Sequence, residues 1–204
     1  KKIPGLSRLQ LAFLLNSLAN ALPATLFLFF VQFVIQEEEM TGALLLIYFA
    51  AGIIGLPFWT MLSKKIGKRK AWQTSMLLAS GAFVFVLFLE AGEIFAFGVI
   101  SFISGLSLGA DMALPSSIQA DIVQNIPDQK ASYAGILFGF WAMLTKLALA
   151  LAVGIGFVTL GLAGFDPEVP TPLALDTLVL LYGGIPVLVK LIALLIIKDY
   201  NETH

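Results

Sequence analysis

The sequence predicts an all-α membrane protein with six transmembrane helices, and three observations carry that prediction. First, 59% of the 204 residues are hydrophobic and 12% are charged, with a mean hydropathy of +0.94. A soluble globular domain carries about 25% charged residues, so this chain could not clothe a water-facing surface, and a soluble all-helical domain is excluded. Second, the apolar residues fall into six runs, each near or above the roughly 20 residues a helix needs to cross the hydrocarbon core. Third, the charges between the runs alternate in sign. The runs lack the period-two alternation of barrel strands and therefore read as helices.

In order, the runs occupy residues 9–35, 41–62, 71–89, 94–118, 134–162 and 178–197, and residues 1–204 read as one six-helix transmembrane domain. The breaks between them are QEEEM, SKKIGKRK, LEAGE, QADIVQNIPDQK and GFDPEVPTP. The opening KKIPGLSRLQ is no signal peptide, whose short apolar core would end at a cleavage site. A start at Lys1 without methionine reads as a piece of something larger. The fourth run is the least clean, because it carries Asp111 and Pro115. Pro23, Pro57, Pro115 and Pro186 all fall inside runs. A helical bundle can re-satisfy the carbonyls that proline frees, and interrupted helices at such points line pathways in transporters. Proline is also simply frequent in membrane helices.

Charge orients the set. Lys1, Lys2 and Arg8 precede the first run; Lys64, Lys65, Lys68, Arg69 and Lys70 follow the second; Lys130 follows the fourth and Lys198 the sixth. The alternate breaks hold Glu37, Glu38, Glu39, Glu90, Glu93, Asp166, Glu168 and Asp176 with no lysine or arginine. Short cytoplasmic loops carry the positive charge, which puts both termini on the cytoplasmic side of a plasma or bacterial inner membrane.

Two lysines remain within the runs, Lys146 and Lys190. Lys146 has no other charge around it from Ser132 to Phe165. It shares a face with Gly135, Gly139, Ala142, Ala150 and Gly154 at spacings of three and four. Small residues permit close helix approach, so this stripe is expected to face protein or a cavity. A charge near the bilayer centre costs at least a few kcal/mol. Lys146 is therefore read as a substrate or coupling residue, against the plainer reading of a structural ion pair. Asp111 and Asp121 are its candidate partners within the chain. Asp111 follows SGLSLGA, whose Gly105 and Gly109 form a small-residue contact pattern. Asp121 is expected at the membrane edge, either solvated and capping or coupled to transport. Lys190, eight residues before Lys198, is expected to snorkel toward water in a structural role.

Asn16 and Asn20, four residues apart, share one helix face close to Pro23. Amides aimed at lipid are costly, so they are expected to face inward, toward a neighbouring helix or a polar solute; Gln32 adds weakly to the latter. Phe27, Phe30, Trp59, Trp141 and Tyr182 are candidates for stacking on a sugar ring, set against plain packing in a chain with 17 phenylalanines.

No enzyme, metal or cofactor site emerges. HExxH, CxxC and GxxxxGK[ST] are absent, and there is no cysteine for thiolate chemistry. GLSLG matches GxSxG only on paper, because it lies inside a membrane run and not at a strand-to-helix turn. The one histidine, His204, is terminal. No basic segment with interleaved aromatics points to nucleic acid.

Three stretches carry a resemblance: GLPFWTMLSKKIGKRKAW, SGLSLGADMALPSSIQADIV and YAGILFGFWAMLTKLALALAVGIGF. Over residues 6–197 the chain resembles the C-terminal half of the glycoside–pentoside–hexuronide:cation symporters, the melibiose-permease-like branch of the major facilitator superfamily. The resemblance implies one six-helix half, built of two inverted three-helix units, of a twelve-span transporter. It implies that Lys64, Lys65, Lys68, Arg69 and Lys70 form a loop that steadies one conformational state. It also implies that Lys146 lies near the cation and sugar sites at the interface of halves, its acidic neighbours coming from an N-terminal half on the same or a separate polypeptide. One departure stands out: where the family continues with an aspartate and a tyrosine, this chain has Gln124 and Asn125.

The function expected is Na⁺- or H⁺-coupled symport of a sugar or glycoside by alternating access, inactive without the other half. The partners are the bilayer, a small solute, a coupling cation and that half. The alternatives are a six-helix structural or assembly module without transport, and a transporter of a lysolipid or another small solute.

Overall fold

The computed structural model describes residues 5–124 and 130–198, with backbone alone for 130–133. Lys1, Lys2, Asn125 and His204 lie outside the described residues, as does the side chain of Lys130. Among the described residues, six helices are long and apolar enough to cross a membrane: α1 (Leu6–Ile35), α2 (Glu38–Ile66), α3 (Lys68–Phe88), α4 (Ile94–Gln124), α5 (Ala134–Leu162) and α6 (Pro172–Lys198). They form an all-α membrane-spanning bundle with the architecture of one half of a major facilitator fold.

The ends of these helices follow from local chemistry. The basic segment expected as a loop is not one: α2 ends at Ile66, α3 begins at Lys68, and Gly67 alone joins them. Gly67 has φ 88° and ψ 151°, a conformation in which a side chain would clash. Lys64 and Lys65 fall in the last turn of α2, where cations complement the helix dipole. The first turn of α3 carries Lys68, Arg69 and Lys70 against its dipole, so those cations need other partners. At the opposite end, α1 closes through a π-helical stretch, Val31–Ile35, and Gln36 at φ 60°. The sixth helix starts at Pro172, earlier than expected at 178, because Thr171 caps it by accepting from the Ala174 N–H at 3.2 Å.

Neighbour relations run α2, α4, α3, α6, α1, α5. The α2–α4 contact is the closest, and glycine makes it possible. A Cβ on Gly105 would run into the Tyr48 carbonyl and sit 2.9 Å from the Ala51 Cβ; one on Gly109 would sit 2.7 Å from the Gly52 carbonyl oxygen. The Trp59 indole seals this seam by donating to the Leu106 carbonyl at 2.8 Å. Two apolar clusters then cap the bundle. One, at the basic end, centres on Leu9, Trp59, Trp72, Ile122 and Ile197; the other, at the acidic end, on Phe30, Ile35, Val86, Phe97 and Tyr182. Polar residues and a cavity lie between them.

Candidate functional site

The polar layer is built by four helices. Asn16 and Asn20 come from α1, Trp72 from α3, Asp111 from α4 and Lys190 from α6. The two asparagines sit one helical turn apart and both face inward, where each amide can span the gap between α4 and α6. Asp111 Oδ1 accepts from Asn16 Nδ2 at 2.9 Å and from the Trp72 indole at 2.8 Å, and Oδ2 accepts from Asn20 Nδ2 at 2.8 Å. Lys190 Nζ donates to Asn16 Oδ1 and Asn20 Oδ1, both at 2.8 Å, and lies 3.5 Å from Asp111 Oδ2. The ion pair is thus bridged by two amides in a closed ring. Lysine only donates and carboxylate only accepts, so each amide is pinned in one orientation with its oxygen on Lys190 and its nitrogen on Asp111.

Burial makes this ring necessary. Lys190 is 6% exposed and Asn16 1%, and removing two charges from water costs several kcal/mol per ion unless both are paired and hydrogen-bonded. The expectation that Lys190 snorkels is corrected here. Its rotation decides the matter, because it lies on the same buried face as Pro186, Val187, Ala193 and Ile197 and points away from the water that Lys198 reaches. The pairing of Asp111 or Asp121 with Lys146 is corrected too. Asp111 is taken by Lys190, and Asp121 by Lys68 at 2.6 Å across the basic end.

Asn20, Asp111 and Lys190 also form one end of a cavity of about 200 Å³. Behind them, Asn16 and Trp72 complete the ring without lining the cavity. The rest of the wall is mostly apolar and aromatic, with Phe27, Phe49, Phe83, Phe97 and Tyr182, and with Pro23 in the unbroken α-helical part of α1 and Pro186 in α6. Tyr182 belongs to a second π-helical stretch, Leu180–Gly184, and stacks on Phe30 at 4.0 Å and 11°. Ser80, Ser101, Ser104 and Ser107 add hydroxyls along one side, and the Ser80 hydroxyl is buried without a partner among the described residues. A chamber with a zwitterionic end and an aromatic body suits a solute that is charged at one end and apolar along its length.

Lys146 lies elsewhere. It is exposed on α5, outside the cavity lining, with no hydrogen bond or ion pair among the described residues. The small-residue stripe, expected to face protein or a cavity, is open among the described residues: a Cβ on Gly135, Gly139 or Gly154 would meet nothing within 4 Å. Instead α5 buries Leu137, Leu144, Ala148, Ala152 and Leu160 and packs mainly on α1.

The remaining candidates resolve as follows. Lys68 holds Asp121, and Arg69 Nη1 caps α6 by donating to the Lys198 carbonyl at 2.9 Å; Lys64, Lys65 and Lys70 are exposed. Phe30 and Trp59 are buried, and Trp141 stacks on Phe13 at 3.7 Å, so these three rings serve packing. Ser107 is 2% exposed and donates to the Ser75 carbonyl at 3.1 Å, which is no place for a nucleophile.

The sequence matches the MFS/sugar transport protein family over residues 4–202. It is 27% identical over 198 residues to the sodium-dependent lysophosphatidylcholine symporter 1-A of Danio rerio, covering 95% of this chain and 37% of that protein. Identity to the sphingosine-1-phosphate transporter MFSD2B of Xenopus tropicalis is 29% over 200 residues, covering 95% and 38%. For the sodium-dependent lysophosphatidylcholine symporter 1 of Homo sapiens it is 26% over 198 residues, covering 95% and 36%. The chain therefore spans less than two fifths of the length of these relatives. Their names concern lipids and not sugars, so the melibiose-permease-like placement gives way to a broader one, the major facilitator superfamily, with similarity to sodium-dependent lysophosphatidylcholine symporters and to sphingosine-1-phosphate transporters. With its six apolar helices and this match over nearly its whole length, the chain belongs to the MFS/sugar transport protein family, a family of membrane transporters and not of enzymes.

Proposed function

We propose that this chain supplies one six-helix half of a cation-coupled symporter for a lipid-like amphiphile, working by alternating access against a second half. The observation that carries the reading is the cavity, charged at the Asn20–Asp111–Lys190 end and aromatic along its body. A zwitterionic or phosphate-bearing head would sit against the ion pair and a tail against the phenylalanines. The relatives' names favour the same solute class, and those of the lysophosphatidylcholine symporters favour Na⁺ as the coupling ion. In this reading the open α5 stripe is the surface on which the second half closes, and Lys146 meets carboxylates there. The basic helix ends face the cytoplasm.

A sugar or glycoside remains the rival solute, favoured by the row of serine hydroxyls in the cavity. The two are separated in proteoliposomes holding the complete two-half transporter under an inward Na⁺ gradient. Saturable, Na⁺-dependent uptake of labelled lysophosphatidylcholine is expected, with none of labelled melibiose. Melibiose uptake without lysolipid uptake would overturn the reading.

A further inference from the structure

On the far side of α4 from the cavity lies a second concavity that transport of a solute through the bundle does not use. It is a groove of about 710 Å³ between α3 and α4, and every residue lining it is apolar. Small residues Gly81, Ala82 and Ala96 lie between bulky Phe85, Phe88 and Phe95. The backbone sets this spacing. Residues Val84–Phe88 form a 3₁₀ stretch, in which positions three apart eclipse, so Phe85 and Phe88 stand in line on the groove side. Both are exposed, as is Phe95 at 84%.

The mouth of the groove is charged. Phe88 and Phe95 flank the turn that holds Glu90 and Glu93, both exposed. The turn is fixed: the Gly92 N–H donates to the Ile35 carbonyl at 2.8 Å, and Glu93 Oε2 accepts from the Glu90 N–H at 2.9 Å. No lysine or arginine occurs between Ala71 and Gln129; the cations of α3, Lys68, Arg69 and Lys70, lie in its first turn at the opposite end, so nothing on the groove end of α3, its turn or α4 offsets these two carboxylates. A groove of pure hydrocarbon, opening under paired negative charge at the membrane surface, matches an acyl chain whose headgroup carries an ammonium, and repels an anionic headgroup.

We propose that the α3–α4 groove is a binding site for a bilayer phospholipid with an ammonium-bearing headgroup, its acyl chain along Gly81 and Ala96 and its ammonium at Glu90 and Glu93. The site is separate from the solute cavity, because Phe97, Ser101 and Ser104 of α4 face that cavity while Phe95 and Val99 face the groove.

Native mass spectrometry of the purified 204-residue chain, titrated with phosphatidylethanolamine or phosphatidylglycerol of identical acyl chains, tests this. The wild-type chain is expected to retain the ethanolamine lipid several-fold more than the glycerol lipid. Gly81→Leu, where a Cβ meets open space, is expected to cut retention of both lipids several-fold with an unchanged melting temperature. Should that variant fold poorly, Phe95→Ala, at the exposed rim, serves in its place with the same loss expected. The double variant Glu90→Gln, Glu93→Gln is expected to keep lipid but lose the headgroup preference. Equal retention by the folded groove variant and wild type, or a wild-type preference for phosphatidylglycerol, would overturn the proposal. A change of oligomeric state in Gly81→Leu without any change in lipid retention would also overturn it, by showing that the groove receives protein.

Discussion

Two lysines sit in the apolar spans, and the structure treats them in opposite ways. Lys190 is closed inside a ring of Asn16, Asn20 and Asp111; Lys146 stands on an open face of α5 with no partner among the described residues. Both carry the same charge into a place where an unpaired charge is expensive. The difference is that α1 and α4 supply partners for one, while no described residue satisfies the other. A lysine already satisfied is part of the half's own architecture. A lysine left open is a demand for a surface outside the chain, which is why the proposed second half is argued from Lys146 and the chamber from Lys190.

The largest effect should come from opening the ring. Lys190→Ala leaves Asp111 buried with its charge uncompensated, and breaking a buried pair from one side costs about 3–5 kcal/mol. A denaturation curve in detergent should show that loss. The double variant Asp111→Asn, Lys190→Met should recover much of it, because the charges are then removed together. If the single variant melts like wild type, the ring does not bear on stability and the contrast between the two lysines fails.

Next in size is the α2–α4 seam. Gly105→Ala puts a methyl against the Tyr48 carbonyl, and overpacking a tight contact costs about 1–3 kcal/mol. The comparison site is Gly139→Ala on the open α5 stripe, where a Cβ meets nothing; its melting temperature should hold or rise slightly, since alanine favours helix over glycine. Equal losses at both positions would mean that the α5 stripe is packed within the chain after all.

A smaller effect is expected at the basic end. The Lys68 and Asp121 side chains are 33% and 51% exposed, and exposed ion pairs contribute about 0–1 kcal/mol. Asp121→Asn should therefore lower stability by less than about 1 kcal/mol, and raised salt should erase the difference.

How much of this was legible beforehand differs by feature. The six spans and the sign of their connections follow from composition and charge alone, since a bilayer imposes length and apolarity on each helix without reference to its neighbours. The shared inward face of Asn16 and Asn20 follows from their spacing, and Asp111 was visible as a polar residue in an apolar run. The ring itself was not. The short distance along the chain from Lys190 to Lys198 points toward water, but the deciding quantity is rotation about the helix, legible in the register of Pro186, Ala193 and Ile197. The α5 stripe taught the converse. Periodicity tells which residues share a face, and Gly135, Gly139 and Lys146 do share one, but it does not tell what covers that face. The start of α6 was also written in the sequence, as a Thr-Pro pair at N-cap and first helical position, but Asp176 in its second turn disguised it as loop.

The contrast between the lysines is tested most directly by Na⁺-driven lysophosphatidylcholine uptake through Lys146→Ala in the complete two-half transporter, normalised to folded protein. Removing an exposed charge from α5 should leave stability within about 0.5 kcal/mol of wild type, as for substitutions away from packed features. Coupled uptake should fall severely, because the carboxylate proposed to meet Lys146 across the interface of halves would lose its partner where water is scarce. Uptake near the wild-type level per folded molecule would contradict the assignment and leave Lys146 a lysine with no part in coupling.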